Sequence, residues 1–153
     1  MPKAIRCLIV ISCLVWGCAS QQGVIDRPDW AQQQVSWAGS GLTIASFGQA
    51  EYQLSAKEDA RQAEEQAMKK ARQMLASEIA KAYLKASGSS ISEGDATHMA
   101  LSALGNLIET RSKYDEQRRV YFIQIFVPSS RIDTILQNAY GQVVPLNGAK
   151  PAS

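Results

Sequence analysis

The longest regular alternation of apolar and polar positions in this chain runs from Ser55 to Ala86. Ala60, Ala63, Ala67, Ala71, Leu75, Ile79, Ala82, Tyr83 and Ala86 recur at steps of three and four. That spacing puts them on one stripe of an α-helix. Arg61, Glu65, Lys69, Arg72 and Lys85 lie off the stripe. Ser55 with Glu58 three residues on is a capping box, and Gly88 is placed to stop the helix. Alanine fills the first half of the stripe. Small side chains bury little area each, but they let a helix backbone approach a sheet or another helix closely. A coiled coil is the rival reading. Its heptad of Ala60, Ala67 and Met74 runs into Lys81, and the companion row includes Glu64, so no apolar seam persists. The pattern predicts one long helix packed across a sheet.

Shorter patterns surround it. Leu42 to Phe47, with Thr43 and Ile44 β-branched and glycines at 39, 41 and 48, predicts a strand. Thr97 to Leu104 predicts a short helix ended by Gly105. Leu107 to Tyr114 and Val120 to Val127 predict a hairpin across the polar link Asp115, Glu116, Gln117, Arg118. In the first of these strands Ile108, Thr110 and Tyr114 alternate with Glu109, Arg111 and Lys113, which leaves one face wet. In the second, Tyr121, Ile123, Ile125 and Val127 share one face, and Val120, Phe122 and Phe126 share the other. A strand apolar on both sides is central or covered twice, and Pro128 should stop the ladder. Ser130 to Tyr140 predicts a second amphipathic helix, capped by Ser130 with Asp133 and ended by Gly141. The fold class that follows is α+β, a small antiparallel sheet covered by one long helix, with a C-terminal helix.

The ends follow other rules. Lys3 and Arg6 precede an apolar run from Cys7 to Trp16, then Gly17 and Cys18. A cationic start, a short apolar core and a small residue form the layout of a secretory signal peptide. Residues 1–17 are therefore expected to be a signal, 18–40 a tether, 41–141 the folded domain and 142–153 a flexible tail. Gln21, Gln22, Gln32, Gln33 and Gln34 dominate the tether. Trp30 and Trp37 stand out in it, either as staples onto the domain or as contacts for a membrane or a partner. The apolar run is short of the ~20 residues that a spanning helix needs, although an uncut membrane anchor is the remaining alternative.

Cleavage changes the charge. The formal charge of +2 comes from 16 basic and 14 acidic side chains. Lys3 and Arg6 leave with the signal, so the mature chain is neutral. That removes the electrostatic footing for nucleic-acid binding. Cys7 and Cys13 leave as well, so Cys18 alone remains and no disulfide within the domain is expected.

Val15, Trp16, Gly17 and Cys18 resemble the lipobox of bacterial lipoproteins, in which the cysteine is acylated and becomes the new N-terminus. Trp16 stands where a small residue is commoner. Val10, Ile11, Ser12 and Cys13 fit the local pattern better but leave a very short apolar core. The resemblance implies lipidation at Cys18. Ala19 and Ser20, with no aspartate after the cysteine, imply the outer membrane. A second resemblance rests on Pro28-Asp29-Trp30, the glycine-flanked strand, Ala60-Arg61, Ala67, Ala71-Arg72, Leu75-Ala76, Ile79-Ala80 and the strand Tyr121 to Val127. Together these resemble the lipoprotein-20 family of small bacterial surface lipoproteins, and are similar to flagellar assembly lipoprotein P and the N-terminal domain of flagellar assembly protein T. The resemblance spans roughly Pro28 to Pro128. Ser89 to Leu104 and the helix after Pro128 fall outside its pattern. It implies a helix-on-sheet fold, an envelope location and no catalysis.

Catalytic chemistry finds little in the sequence. There is one histidine, His98; metal ligation would need carboxylates such as Glu93 and Asp95 nearby, and a surface or helix-start histidine is the commoner case. No phosphate-cradling glycine loop or nucleophile elbow occurs. Glu64, Glu65 and Glu78 sit among lysines and arginines, as on a solvated helix face. The expectation is a non-enzymatic structural or assembly module of the envelope. It would need no metal or cofactor, would not bind nucleic acid, and would self-associate or bind another envelope protein. A surface adhesin or antigen is one alternative. A small-ligand carrier with a groove between long helix and sheet is the other.

Overall fold

The computed structural model describes residues 26–51 and 55–146. The signal segment, Cys18 and the residues after Leu146 lie outside them. Four strands form one antiparallel sheet in the order β1-β2-β4-β3, where β1 is Val35–Ala38, β2 Gly41–Gln49, β3 Glu109–Asp115 and β4 Val120–Pro128. Three helices complete the fold: α1 Ala56–Ser87, α2 Glu93–Ala103 and α3 Ser129–Tyr140. The architecture is α+β, with the long helix α1 across one face of the sheet and a C-terminal helix, as the residue pattern predicts.

Helix α1 forms as its sequence dictates. The Ser55 hydroxyl accepts a hydrogen bond from the Glu58 N–H, and Gly88 closes the other end at φ 63°. Ala63, Ala67, Ala71, Leu75, Ile79 and Tyr83 are buried. The alanines matter at one point above all. A Cβ at Gly48 would lie 2.1 Å from the Ala63 carbonyl oxygen and 2.4 Å from the Ala67 nitrogen. Strand and helix backbones therefore touch there, and only a glycine facing alanines allows it. No ligand groove separates the two at that crossing. Farther along, Leu75, Ile79 and Tyr83 need more room. They share one core with Ile123 and Ile125 of β4, Ala100 of α2, Leu104, and Ile132, Ile135 and Leu136 of α3.

Strand β4 is apolar on both sides because it is covered on both. Ile123, Ile125 and Val127 face the helices, while Val120 and Phe122 form a second cluster with Ala31 and Ala45. The cover for that cluster is a 3-10 turn at Asp29–Ala31, which lays Trp30 and Ala31 on the outer face. The Gln124 side-chain amide donates to the Trp30 carbonyl at 3.3 Å.

Several boundaries differ from the expectation. The folded unit reaches beyond 41–141 at both ends: the 3-10 turn and β1 lie inside the segment read as tether, and Val144 and Leu146 of the segment read as tail pack against the main core. Helix α2 begins at Glu93 instead of Thr97, because the Ser92 hydroxyl caps the Asp95 N–H at 3.1 Å. Ser130 does not cap α3. Pro128 is the N-cap residue and no side chain bonds the first turn. Pro128 is also the last residue of β4, opposite Gly41, so the chain turns from ladder to helix with no residues between.

Candidate functional site

Trp30 and Trp37 are both half-buried, but the fold puts them on opposite faces of the sheet. Trp37 pairs with Leu42 in the β1–β2 ladder and packs on the helix-side core. Trp30 belongs to the outer-face cluster with Phe47 and Phe122. They do not form one contact surface.

Trp37 lines a groove of about 620 Å³ with Ile132 and Asp133 of α3 and with Val143, Pro145 and Leu146. Its wall is mainly apolar, and among the described residues Asp133 is the one ionic side chain in it. The groove exists because β1 and β2 turn over two residues, Gly39 and Ser40, and because the chain after Gly141 folds back along α3. The Ser129 N–H donates to the Ser40 carbonyl at 2.9 Å and its hydroxyl donates to the Gly39 carbonyl at 3.1 Å, which fixes the hairpin tip against the start of α3. The Gln142 amide donates to the Tyr83 hydroxyl at 2.8 Å, holding the root of the returning segment. Val143 is 50% exposed beside it. The arrangement can hold an apolar side chain against the indole and offers a single carboxylate at the rim. The sequence signal for it was Trp37 alone; Ile132 and Leu146 belong to segments with no local pattern connecting them.

A second recess, about 580 Å³, runs along the charged side of α1 past Leu101 of α2. Arg61 bridges Glu58 and Glu65 there, and the Arg61 guanidinium holds the Glu58 carboxyl below the usual carboxylate range. Arg72 donates to the Gly105 carbonyl at 2.7 Å and Arg131 to the Leu104 carbonyl at 3.1 Å. The two arginines clamp the loop after α2. Glu64 faces Glu109 across this side. Burial first and Glu64 second raise the Glu109 pKa, opposed by a hydrogen bond with Ser112. The Arg61 contacts to Glu58 and Glu65 are solvent-exposed helix-surface ion pairs, screened by water, and they stabilise α1 only weakly.

The histidine does not join a site. His98 is exposed on α2, while Asp95 is engaged by the Ser92 hydroxyl at 2.7 Å. Among the described residues no group of three or more His, Cys, Asp or Glu side chains could hold a metal ion. One buried ionic contact was not foreseen. Asp59, in the first turn of α1, lies 3.8 Å from Arg119, which sits at φ 54° in the left-handed region at the hairpin turn. It ties the β3–β4 turn to the start of the helix. Among the described residues no helix is long and apolar enough to cross a membrane. The chain matches no protein-family model, no curated protein and no solved structure.

Proposed function

We propose that this chain is an outer-membrane lipoprotein, anchored through Cys18, whose domain is a non-enzymatic docking module for another protein of the cell envelope. The observation that carries the reading is the Trp37 groove, an apolar recess open to solvent, fixed on one side by the Ser129–Ser40 backbone hydrogen bond and on the other by the Gln142–Tyr83 side-chain hydrogen bond. Its occupant is a partner segment that presents an apolar side chain flanked by a basic one. The first fits against the indole and Ile132, and the second meets Asp133. A lipid-anchored protein meets its neighbours at high effective concentration, so modest contacts suffice for assembly. The resemblance to flagellar assembly lipoproteins makes the flagellar base one place for that partner.

The test is a photo-crosslinking residue at position 37 in intact cells. One dominant crosslinked envelope protein is expected, lost in Asp133→Lys. A groove that crosslinks no protein in cells overturns the docking reading. Fatty-acid labelling tests the anchor separately. Cys18→Ala should abolish it, and persistent label would transfer the anchor to Cys13. The groove volume also falls in the ~300–1,000 Å³ range of small-molecule sites, which is the specific support for a carrier as second reading. A small molecule copurifying with the wild-type chain and absent from Trp37→Ala would favour it.

A further inference from the structure

The outer face of the sheet is covered at one end and bare at the other. The 3-10 turn at Asp29–Ala31 covers Ala45, Val120 and Phe122. Beyond it Phe126 is 39% exposed, and Ile108, one residue before β3 and level with Phe126 by register, is 80% exposed. Arg111 pairs with Gln124 and Lys113 with Phe122, so both project on this same outer side, and both are exposed. Arg27 lies 5.0 Å over the Phe47 ring at the opposite edge. The carboxylates on this side are Asp29, which accepts from Gln32, and Asp115, which pairs with Arg118 at 3.5 Å; Asp26 is exposed where the described chain begins.

The chain also arrives on this face. Asp26 to Ala31 lead into the 3-10 turn on the outer side, and only eight residue steps separate Asp26 from Cys18. Fully extended, eight steps reach at most ~28 Å. The face that receives the tether is therefore the face that an anchor at Cys18 holds nearest to the bilayer. We infer that the bare outer sheet face rests on the membrane surface, with Ile108 and Phe126 entering the headgroup region and Arg111 and Lys113 against lipid phosphates. Exposed aliphatic and aromatic side chains beside cations suit that interface, where buried apolar area and attraction to anionic lipid both contribute. This leaves the helical layer and the Trp37 groove directed away from the lipid. The inference rests on the anchored reading for its geometry.

A fluorophore on an introduced cysteine decides it, since acylation of Cys18 would leave that thiol the sole reactive one. The mature lipidated chain carrying Ile108→Cys is compared with one carrying His98→Cys, whose label sits on α2. Both are reconstituted in vesicles of phosphatidylethanolamine and phosphatidylglycerol with nitroxide-labelled lipid. Quenching at 108 should exceed that at 98 by about twofold or more, because only groups within the interfacial layer meet the quencher. Arg111→Glu with Lys113→Glu should bring position 108 down to the level of 98 with the thermal midpoint unchanged. Equal quenching at the two positions, or more at 98, overturns the inference, as does crosslinking of position 108 to a protein with no lipid quenching. Mass spectrometry of the same preparation reports acylation. If Cys18 carries no lipid, the anchored reading fails by itself. The unacylated chain, with its native cysteines changed to serine so that the introduced thiol alone is labelled, is then added to the same vesicles and decides the face: preferential quenching at 108 upholds it, and none overturns it.

Discussion

The two faces of this sheet are built from similar residues and put to different ends. On the helix side, Leu42, Ile44, Ile123 and Ile125 are fully buried against α1, α2 and α3. On the outer side, Ala45, Val120 and Phe122 are covered by one short 3-10 turn, and Phe126 stays partly open. The first face is closed by three helices that must pack to hold their own amphipathic stripes. The second is closed only as far as the N-terminal segment reaches. Burying a large apolar side chain contributes ~1.5–3 kcal/mol, so stability resides mainly on the helix side and to a lesser extent under the 3-10 turn, where Val120 and Phe122 are buried. Only the uncovered end of the outer side, at Ile108 and Phe126, is free to take changes that alter binding alone.

One substitution made on both sides breaks or upholds that contrast most directly. Ile123 has no exposed surface, while Ile108 is 80% exposed. Ile123→Asp would place a carboxylate in the core with no partner and should cost about 4 kcal/mol or more, enough to unfold a small domain. Ile108→Asp should stay within about 0.5 kcal/mol of the parent. Denaturant unfolding followed by circular dichroism measures both. A folded Ile123→Asp variant with an unchanged midpoint would mean that the helix-side face is not the core.

The elements differ in how far local pattern revealed them. Helix α1 was legible because its stripe, its Ser55–Glu58 cap and its Gly88 stop all agree, and β4 because both of its faces are apolar. Strand β1 was not, since only Val35 and Trp37 face the core and the glutamines before them look like linker. Its pairing is set by the two-residue turn to β2, a contact between neighbours that hydrophobic period does not record. Helix α2 begins four residues before its apolar pattern because the start is set by the Ser92 hydroxyl on the Asp95 N–H, and the first turn, Glu93, Gly94 and Asp95, carries no apolar residue to mark it. The outer face and the Trp37 groove were illegible for a different reason. Each joins segments far apart in sequence, such as Trp30 with Phe122 or Trp37 with Leu146, and only the packed fold brings them together.

Alkaline pH sharpens the comparison within the closed side. Tyr140 stacks on Tyr83 with ring centroids 3.8 Å apart, and its hydroxyl donates to the Ala96 carbonyl at 2.7 Å, joining α3 to α1 and α2. Burial, and then the neighbouring Tyr83, pushes its pKa up to about 12. An unfolded tyrosine ionises near ~10. A raised folded value means the un-ionised form is favoured by folding, so this contribution is complete below pH ~10 and is lost as pH climbs from ~10 toward ~12. Stability should fall across that window, and Tyr140→Phe should flatten the fall while costing ~1 kcal/mol at neutral pH for the lost hydrogen bond. An identical alkaline profile in parent and variant would remove Tyr140 from the account.

The smallest expected effect compares the starts of the two helices that border these regions. Both α1 and α3 carry a serine near the N-terminus with an acidic residue three positions on, Ser55 with Glu58 and Ser130 with Asp133. Only the first caps. The Ser55 hydroxyl receives the Glu58 N–H, while Ser130 lies inside α3, where Pro128 holds the cap position without a side-chain bond. Pro128 must finish the β4 ladder opposite Gly41 and start the helix at once, which leaves no position for a capping hydroxyl. Ser55→Ala should therefore cost ~1 kcal/mol, and Ser130→Ala should change stability by less than about 0.5 kcal/mol. Paired denaturant curves resolve the difference. Equal losses would mean that Ser130 satisfies the first turn of α3 after all, and the rim of the Trp37 groove would then be closed to a partner's backbone in the same way that the start of α1 is closed.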